Sequence, residues 1–256
     1  IPGLLMLGIL FLLTLFTFGG KQGVRGLVAL LASFGFIYFA LLPGIMDGYS
    51  PVLVSIVVSG VIIIFGSYIT HGFNRTTTSA VLGMLATVAL SGLLASYAIA
   101  VTKLSGNSGH ETLYLLMNSD GHIDLAGILL GGMLIGLLGV LYDAAIGQAI
   151  AIEELLSVGE HRSRKEIFFR ALRIGREHIG ALVNTLAIAY TGAALPLILL
   201  YYSSGEGAFL LTINREIFAT EIVRIFVGSI GLILAVPLTS VVAMFMLSKG
   251  KKDFPV

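Results

Sequence analysis

The chain has 256 residues, 57% of them hydrophobic and 11% charged, with a formal net charge of +1 and a mean hydropathy of +1.00. Soluble domains carry about 25% charged residues, so this composition excludes an ordinary soluble domain, and the near-neutral balance points away from a nucleic-acid partner. There is no cysteine, hence no disulfide, thiol nucleophile or thiolate metal site, and no tryptophan, which leaves tyrosine to anchor interfaces.

The apolar residues come in runs of the length a helix needs to cross a hydrocarbon core of about 30 Å. They predict an all-α, polytopic transmembrane bundle of seven spans, at about 2–18, 27–43, 51–70, 77–102, 125–152, 179–202 and 216–247. The first span is already under way in the opening "IPGLLMLGIL". The chain lacks an initiator Met and a basic signal-peptide start, so a preceding segment is expected. The whole reads as one transmembrane domain, 1–103 holding four spans and 125–247 three. Most connections are short, which makes neighbouring spans antiparallel.

Two connections are longer. Residues 103–124 carry His110, Glu111, Asp120, His122 and Asp124, whose spacing fits no standard metal site; turn formation explains "NSDG". Residues 153–178 set Ile167, Phe168, Leu172 and Ile174 among Arg170, Arg173 and Arg176. That pattern predicts an amphipathic helix lying at the inner interface, against anionic headgroups.

Orientation follows from the basic residues. Lys21, Arg25, Arg75, Arg162, Arg164, Lys165, Arg170, Arg173, Arg176, Lys249, Lys251 and Lys252 fall on one side, twelve of the 15. Lys103 and Arg215 fall on the other, and Arg224 lies within a span. The N-terminus is therefore expected outside and the C-terminus in the cytoplasm.

The fifth span contains the chain's least expected residue. In "GGMLIGLLGVLYDAAIGQAIAIEE", Gly132, Gly136, Gly139, Asp143 and Gly147 recur at steps of four, three, four and four, which puts them on one helix face. Small residues let another helix approach closely. The pattern therefore predicts an Asp143 face turned toward protein, with Leu134, Leu138 and Leu141 opposite, meeting lipid or apolar neighbours. A carboxylate at this depth costs roughly 2.5–3.5 kcal/mol on insertion scales, so it must be protonated, paired or wet. The bland reading is a polar contact that pins helix packing; the functional one is an ion carrier.

Candidate partners lie in the last two spans. Asn184, Ala187, Thr191 and Ala194 share a face, with Thr185 beside Asn184. Glu221, Arg224, Gly228, Gly231, Ala235 and Thr239 share another, and Glu221 and Arg224 are spaced to pair or to snorkel outward. Gly228 and Gly231 are expected at a close crossing. Asp143, Asn184 and Thr185 are expected to cluster. Ser79, Gly83, Thr87 and Ser91 form a further close-packing face in the fourth span, and Pro196 and Pro237 permit kinks. No phosphate-binding loop, dinucleotide fingerprint, HExxH or GxSxG is present, which argues against an enzyme.

The stretches "GLLGVLYDAAIGQAIAIEEL", "VNTLAIAYTGAALPL" and "ATEIVR" resemble the YibE/F-like family of bacterial membrane proteins. More distantly, a glycine-rich span with an aspartate, followed by "EIFFRA" and "HIGALVNTL", is similar to one half of the resistance-nodulation-division and SecD/SecF membrane core. That likeness implies that Asp143 matches an acidic span residue involved in proton or sodium coupling. It also implies a second half, which a homodimer or a partner membrane subunit would supply. The expectation is an ion-coupled (H⁺ or Na⁺) transporter or energy-coupling subunit of the bacterial plasma membrane, with Asp143, Asn184, Thr185, Glu221 and Arg224 in the pathway. The alternative is a non-transporting scaffold. No cofactor beyond a coupling ion is implied.

Overall fold

The computed structural model describes residues 2–107, 109–118, 123–158, 163–203 and 209–248. The described elements are helices: α1 (Pro2–Phe36), continued by a π-helical turn (Ile37–Leu41) into α2 (Leu42–Met46), then α3 (Pro51–His71), α4 (Arg75–Thr102), α5 (His110–Asn118), α6 (Leu125–Val158), α7 (Arg164–Ala193), α8 (Leu195–Ser203), α9 (Phe209–Ile213) and α10 (Glu216–Ser248).

Five stretches are long and apolar enough to cross a membrane, and six if the bent pair α7–α8 counts as one span. The sequence predicts seven. The difference lies at the N-terminus, where two expected spans fall in one apolar stretch, Pro2–Met46. That stretch is not straight. Gly20 takes φ 51° and ψ −138°, a conformation only glycine adopts readily. A Cβ on Gly23 would lie 2.7 Å from the Leu15 carbonyl oxygen, whereas residues eight apart on a straight helix are separated by about 12 Å. The chain therefore turns sharply at Gly20. Before the turn, bulky residues such as Leu4, Leu7, Leu10 and Phe11 are exposed. After it, the helix packs on α3 through an edge-to-face contact of Phe36 with Phe65 at 5.4 Å.

Local chemistry sets the other boundaries. Asn74 accepts a hydrogen bond from the Thr77 N–H at 2.7 Å and caps α4. Asp124 accepts from the Gly127 N–H at 2.9 Å and caps α6. Ser163 and Glu166 have the spacing of a capping box, and Ser163 Oγ accepts from the Glu166 N–H at 3.3 Å. Pro196 has no N–H to continue the ladder of α7, and the axis bends by 58° between α7 and α8. Pro237 is accommodated inside α10.

Helices α4, α6 and α10 form the centre, with α3 against α4 and α6, and α7 against α6 and α10. Met84, Leu134, Leu137, Leu141 and Leu232 are almost fully buried there. The expected close-packing face of α4 is buried against α10: a Cβ on Gly83 would strike Thr239, and one on Gly231 would strike Ser91 and Leu137. Beyond one end of the bundle, the Ser105 and Gly106 N–H groups donate to the Glu216 carboxylate at 2.6 and 2.8 Å. This ties the end of α4 to the start of α10.

The expected interfacial helix is not a separate element. Residues 164–178 are the first half of α7, continuous with the following span. Ile167 and Ala171 are buried with Ile152, Leu156 and Ala243. Helices α6, α7 and α10 contain 34, 30 and 33 residues, so each is about 45–51 Å long and outreaches a 30 Å hydrocarbon core. The polar start of α7 thus packs on α6 and α10 rather than lying alone on headgroups.

Candidate functional site

The structure reverses one expectation about α6. Leu134, Leu138 and Leu141, expected to meet lipid or apolar neighbours, are buried among apolar neighbours. Gly132, Gly136, Gly139, Asp143 and Gly147, predicted to pack against protein, are exposed in the single chain. Nothing lies within 4 Å of where a Cβ would stand on Gly132, Gly139 or Gly147. The physical reason is that leucine fills the volume between α4, α6 and α10 with van der Waals contacts that glycine cannot supply. The other predicted close crossing does lie inside the protein. A Cβ on Gly228 would come within 2.9 Å of Leu186 on α7, and Gly231 is pressed against α4 and α6.

Asp143 stands ten residues before Glu153, about 15 Å along the helix axis. Among the described residues it has no hydrogen-bond or ion-pair partner. Asn184 and Thr185 are exposed on α7, where Thr185 Oγ1 donates to its own helix at Ala181 O, 2.9 Å. Two contacts fix how α6 and α7 run past each other. Gln148 Nε2 donates to Ala171 O at 3.0 Å and sits against Gly175, while Gly136 sits against the Tyr190 hydroxyl. Asp143 lies between the first partners of these contacts, and Asn184 and Thr185 between the second. They occupy the same stretch of the α6–α7 pair, but no hydrogen bond joins them.

Arg224 and Glu221 pair within α10, Nη1 to Oε1 at 3.2 Å, with side chains about a quarter exposed. The Arg224 guanidinium lies 5.7 Å from the Tyr190 ring centroid. Tyr190 touches Gly136, seven residues and about 10 Å from Asp143 along α6. Arg224 is therefore a partner of Glu221 and Tyr190, not of Asp143.

Sequence reasoning passed over two features. Gln148 is buried and joins three helices, donating also to Ser240 Oγ at 2.8 Å, which in turn donates to Val236 O. The signal was there: Gln148 is five residues from Asp143 and so lies on the opposite, buried side of α6. The second is a cavity of about 400 Å³ at the end of the bundle where α3 meets α4. His71, Asn74, Thr77 and Glu153 line it, and Ile146 and Ile150 form its wall one to two turns from Asp143. Of the outer-loop candidates, Asp124 serves as the α6 cap; Asp120 and His122, and the side chains of His110 and Glu111, lie outside the described residues. Among the described residues no group of three or more histidine or acidic side chains could hold a metal.

A bundle of long apolar helices with bulky apolar residues facing outward defines an integral membrane protein of the multi-pass α-helical class. The model of the YibE/F-like protein family matches residues 7–249, and the chain belongs to that family. No curated protein and no solved structure matches the chain, so the likeness to the resistance-nodulation-division and SecD/SecF core gains no support from these comparisons.

Proposed function

We propose that the chain is an ion-coupled transporter, or the energy-coupling subunit of a larger transport assembly, in which Asp143 binds and releases H⁺ or Na⁺. One observation carries this reading: a carboxylate on an apolar helix, on an open face, with no partner among the described residues. Such a group is stabilised at membrane depth by taking up a proton or a cation. The cavity lined by His71, Asn74 and Glu153, whose wall includes Ile146 and Ile150 on the Asp143 helix, offers an approach from that end. Asn184 and Thr185 supply oxygens and an amide on the neighbouring helix. Glu221 and Arg224, held on Tyr190, belong to the opposite end, where they adjust charge or gate the pathway.

In this reading the chain crosses the bacterial plasma membrane seven times, Gly20 being the turn between the first two spans. The end carrying Arg75, Arg164 and Lys165 is cytoplasmic. The role is not enzymatic. The open glycine face also suits a second reading, a scaffold that docks other membrane proteins.

Thermal stability of the purified protein, titrated with H⁺ and Na⁺, separates the two. Coupling predicts an ion-dependent stability that Asp143→Asn removes. A scaffold predicts that Asp143→Asn weakens assembly and leaves no ion dependence to lose.

A further inference from the structure

The lipid-facing positions of this protein have a consistent character. On α3 they are Leu53, Val57, Val61 and Ile64; on α10 they include Phe226, Ile230, Ile233 and Phe245. Helix α6 breaks the rule. Its only exposed large apolar residues are Ile150 and Val158. The rest of its open face in the membrane is glycine and Asp143. Lipid chains gain little from such a surface, whereas a second helix can approach it to backbone contact.

The neighbouring helix has a matching face. Arg173, Arg176, Gly180, Asn184, Ala187 and Thr191 recur on α7 at steps of three, four, four, three and four. This face donates through Arg173, Arg176 and Asn184, and it also carries exposed Glu177, one turn before Gly180. The α6 face carries Asp143 and, three turns on, Glu154, while Glu153 lines the cavity beside His71. Asp143, Glu154, Arg173 and Arg176 are exposed and form no ion pair among the described residues. One molecule thus carries two open, unpaired and complementary faces side by side, which is the condition for a self-complementary two-fold contact.

We infer that the open α6–α7 surface is the interface with a second copy of this chain, and that the α7 face of each copy completes the Asp143 site of the other. Heights along the helices agree. Within one chain Gln148 is level with Gly175 and Gly136 with Tyr190. By helical rise, Asp143 is then level with the Gly180–Val183 turn and Gly139 with Asn184–Ala187. A two-fold axis along the membrane normal preserves these heights. It brings Asp143 of one copy to the Asn184 amide of the other, and Gly139 to Ala187. The inference does not rest on the coupled ion: a dimer forms whether or not Asp143 carries one.

The cysteine-free chain gives a clean test. Two differently tagged single-cysteine chains, Gly139→Cys and Ala187→Cys, are co-expressed and oxidised in membranes. A disulfide joining the two tags is expected, because bridging requires Cα atoms within about 7 Å. Val57→Cys with Phe226→Cys, on lipid-facing positions of α3 and α10, is expected to give none. The unaltered protein in lipid discs should have the mass of two copies, and Gly139→Leu, which meets nothing in its own chain, should reduce it to one. One copy per disc at every protein concentration would overturn the inference and leave the face to a different membrane protein or to lipid. So would the absence of the Gly139–Ala187 bridge, or two copies untouched by Gly139→Leu. None of these outcomes bears on whether Asp143 binds an ion, which the stability titration reads separately.

Discussion

Gly83→Ala tests the packing of the centre most sharply. A Cβ on Gly83 would lie 2.8 Å from Thr239 Cα and 2.9 Å from Thr239 Cβ. Relaxed carbon–carbon contacts are about 3.5–4.0 Å, so α4 and α10 must separate locally by roughly 1 Å. Because the nearest carbon is backbone, no rotamer change relieves it. Overpacking of this kind costs about 1–3 kcal/mol, while alanine in place of glycine returns up to about 1 kcal/mol of helix propensity. The propensity contribution cancels against a control, Gly60→Ala on α3, whose Cβ would make an ordinary 3.5 Å contact with Leu85. Gly83→Ala should therefore be less stable than Gly60→Ala by about 1–3 kcal/mol, or several degrees in melting temperature. Thermal unfolding of the two variants in one detergent reads the difference. Equal stabilities, or a more stable Gly83→Ala, would refute the α4–α10 crossing as described.

Three further outcomes follow from the same geometry. Gly228→Leu should destabilise more than Leu234→Ala in the same melts, because it drives into Leu186 at a tight crossing while Leu234 is only half-buried; equal tolerance would place Gly228 elsewhere. Gln148→Met, close in volume, should cost about 1 kcal/mol for two lost interhelical hydrogen bonds, and no loss would mean that this node does not hold α6, α7 and α10 together. Glu221→Gln and Arg224→Gln should each cost more than about 1 kcal/mol, since the pair is only about a quarter exposed and either change leaves the other charge unpaired; losses no larger than those of an exposed pair would show that solvent screens it.

The helical class and the membrane character were legible because both depend on composition and on the length of the apolar runs; the caps at Asn74, Asp124 and Ser163 emerge only from the structure. The orientation of α6 was not legible either. The helix is apolar all round, so its pattern contains a glycine stripe but no polar face to say which side is outside. Glycine serves both purposes in this protein: Gly83 and Gly231 sit at buried crossings, whereas Gly132 and Gly139 are open. The charges from Arg164 to His178 suggested a helix on the membrane surface, but buried Ile167, Ala171 and Gly175 bind that segment to α6 and α10. The span count differs because two expected spans fall in one apolar stretch, Pro2–Met46, and because the pair α7–α8 is bent by 58°; the turn at Gly20 falls between the two expected spans. Within the candidate site, sequence expected Asp143, Asn184 and Thr185 to cluster; their helices are adjacent, but no hydrogen bond joins the three among the described residues. The separation of Arg224 from Asp143 depends on how α7 and α10 slide past α6, which spacing within one helix does not encode.

The central claim, that Asp143 takes up and releases the coupled ion, is tested most directly by infrared difference spectroscopy of the protein in lipid vesicles as pH and Na⁺ are varied. The account predicts a carboxyl band that appears and disappears across the titration in the unaltered protein and is missing from Asp143→Asn. A difference spectrum identical in the two proteins would contradict it.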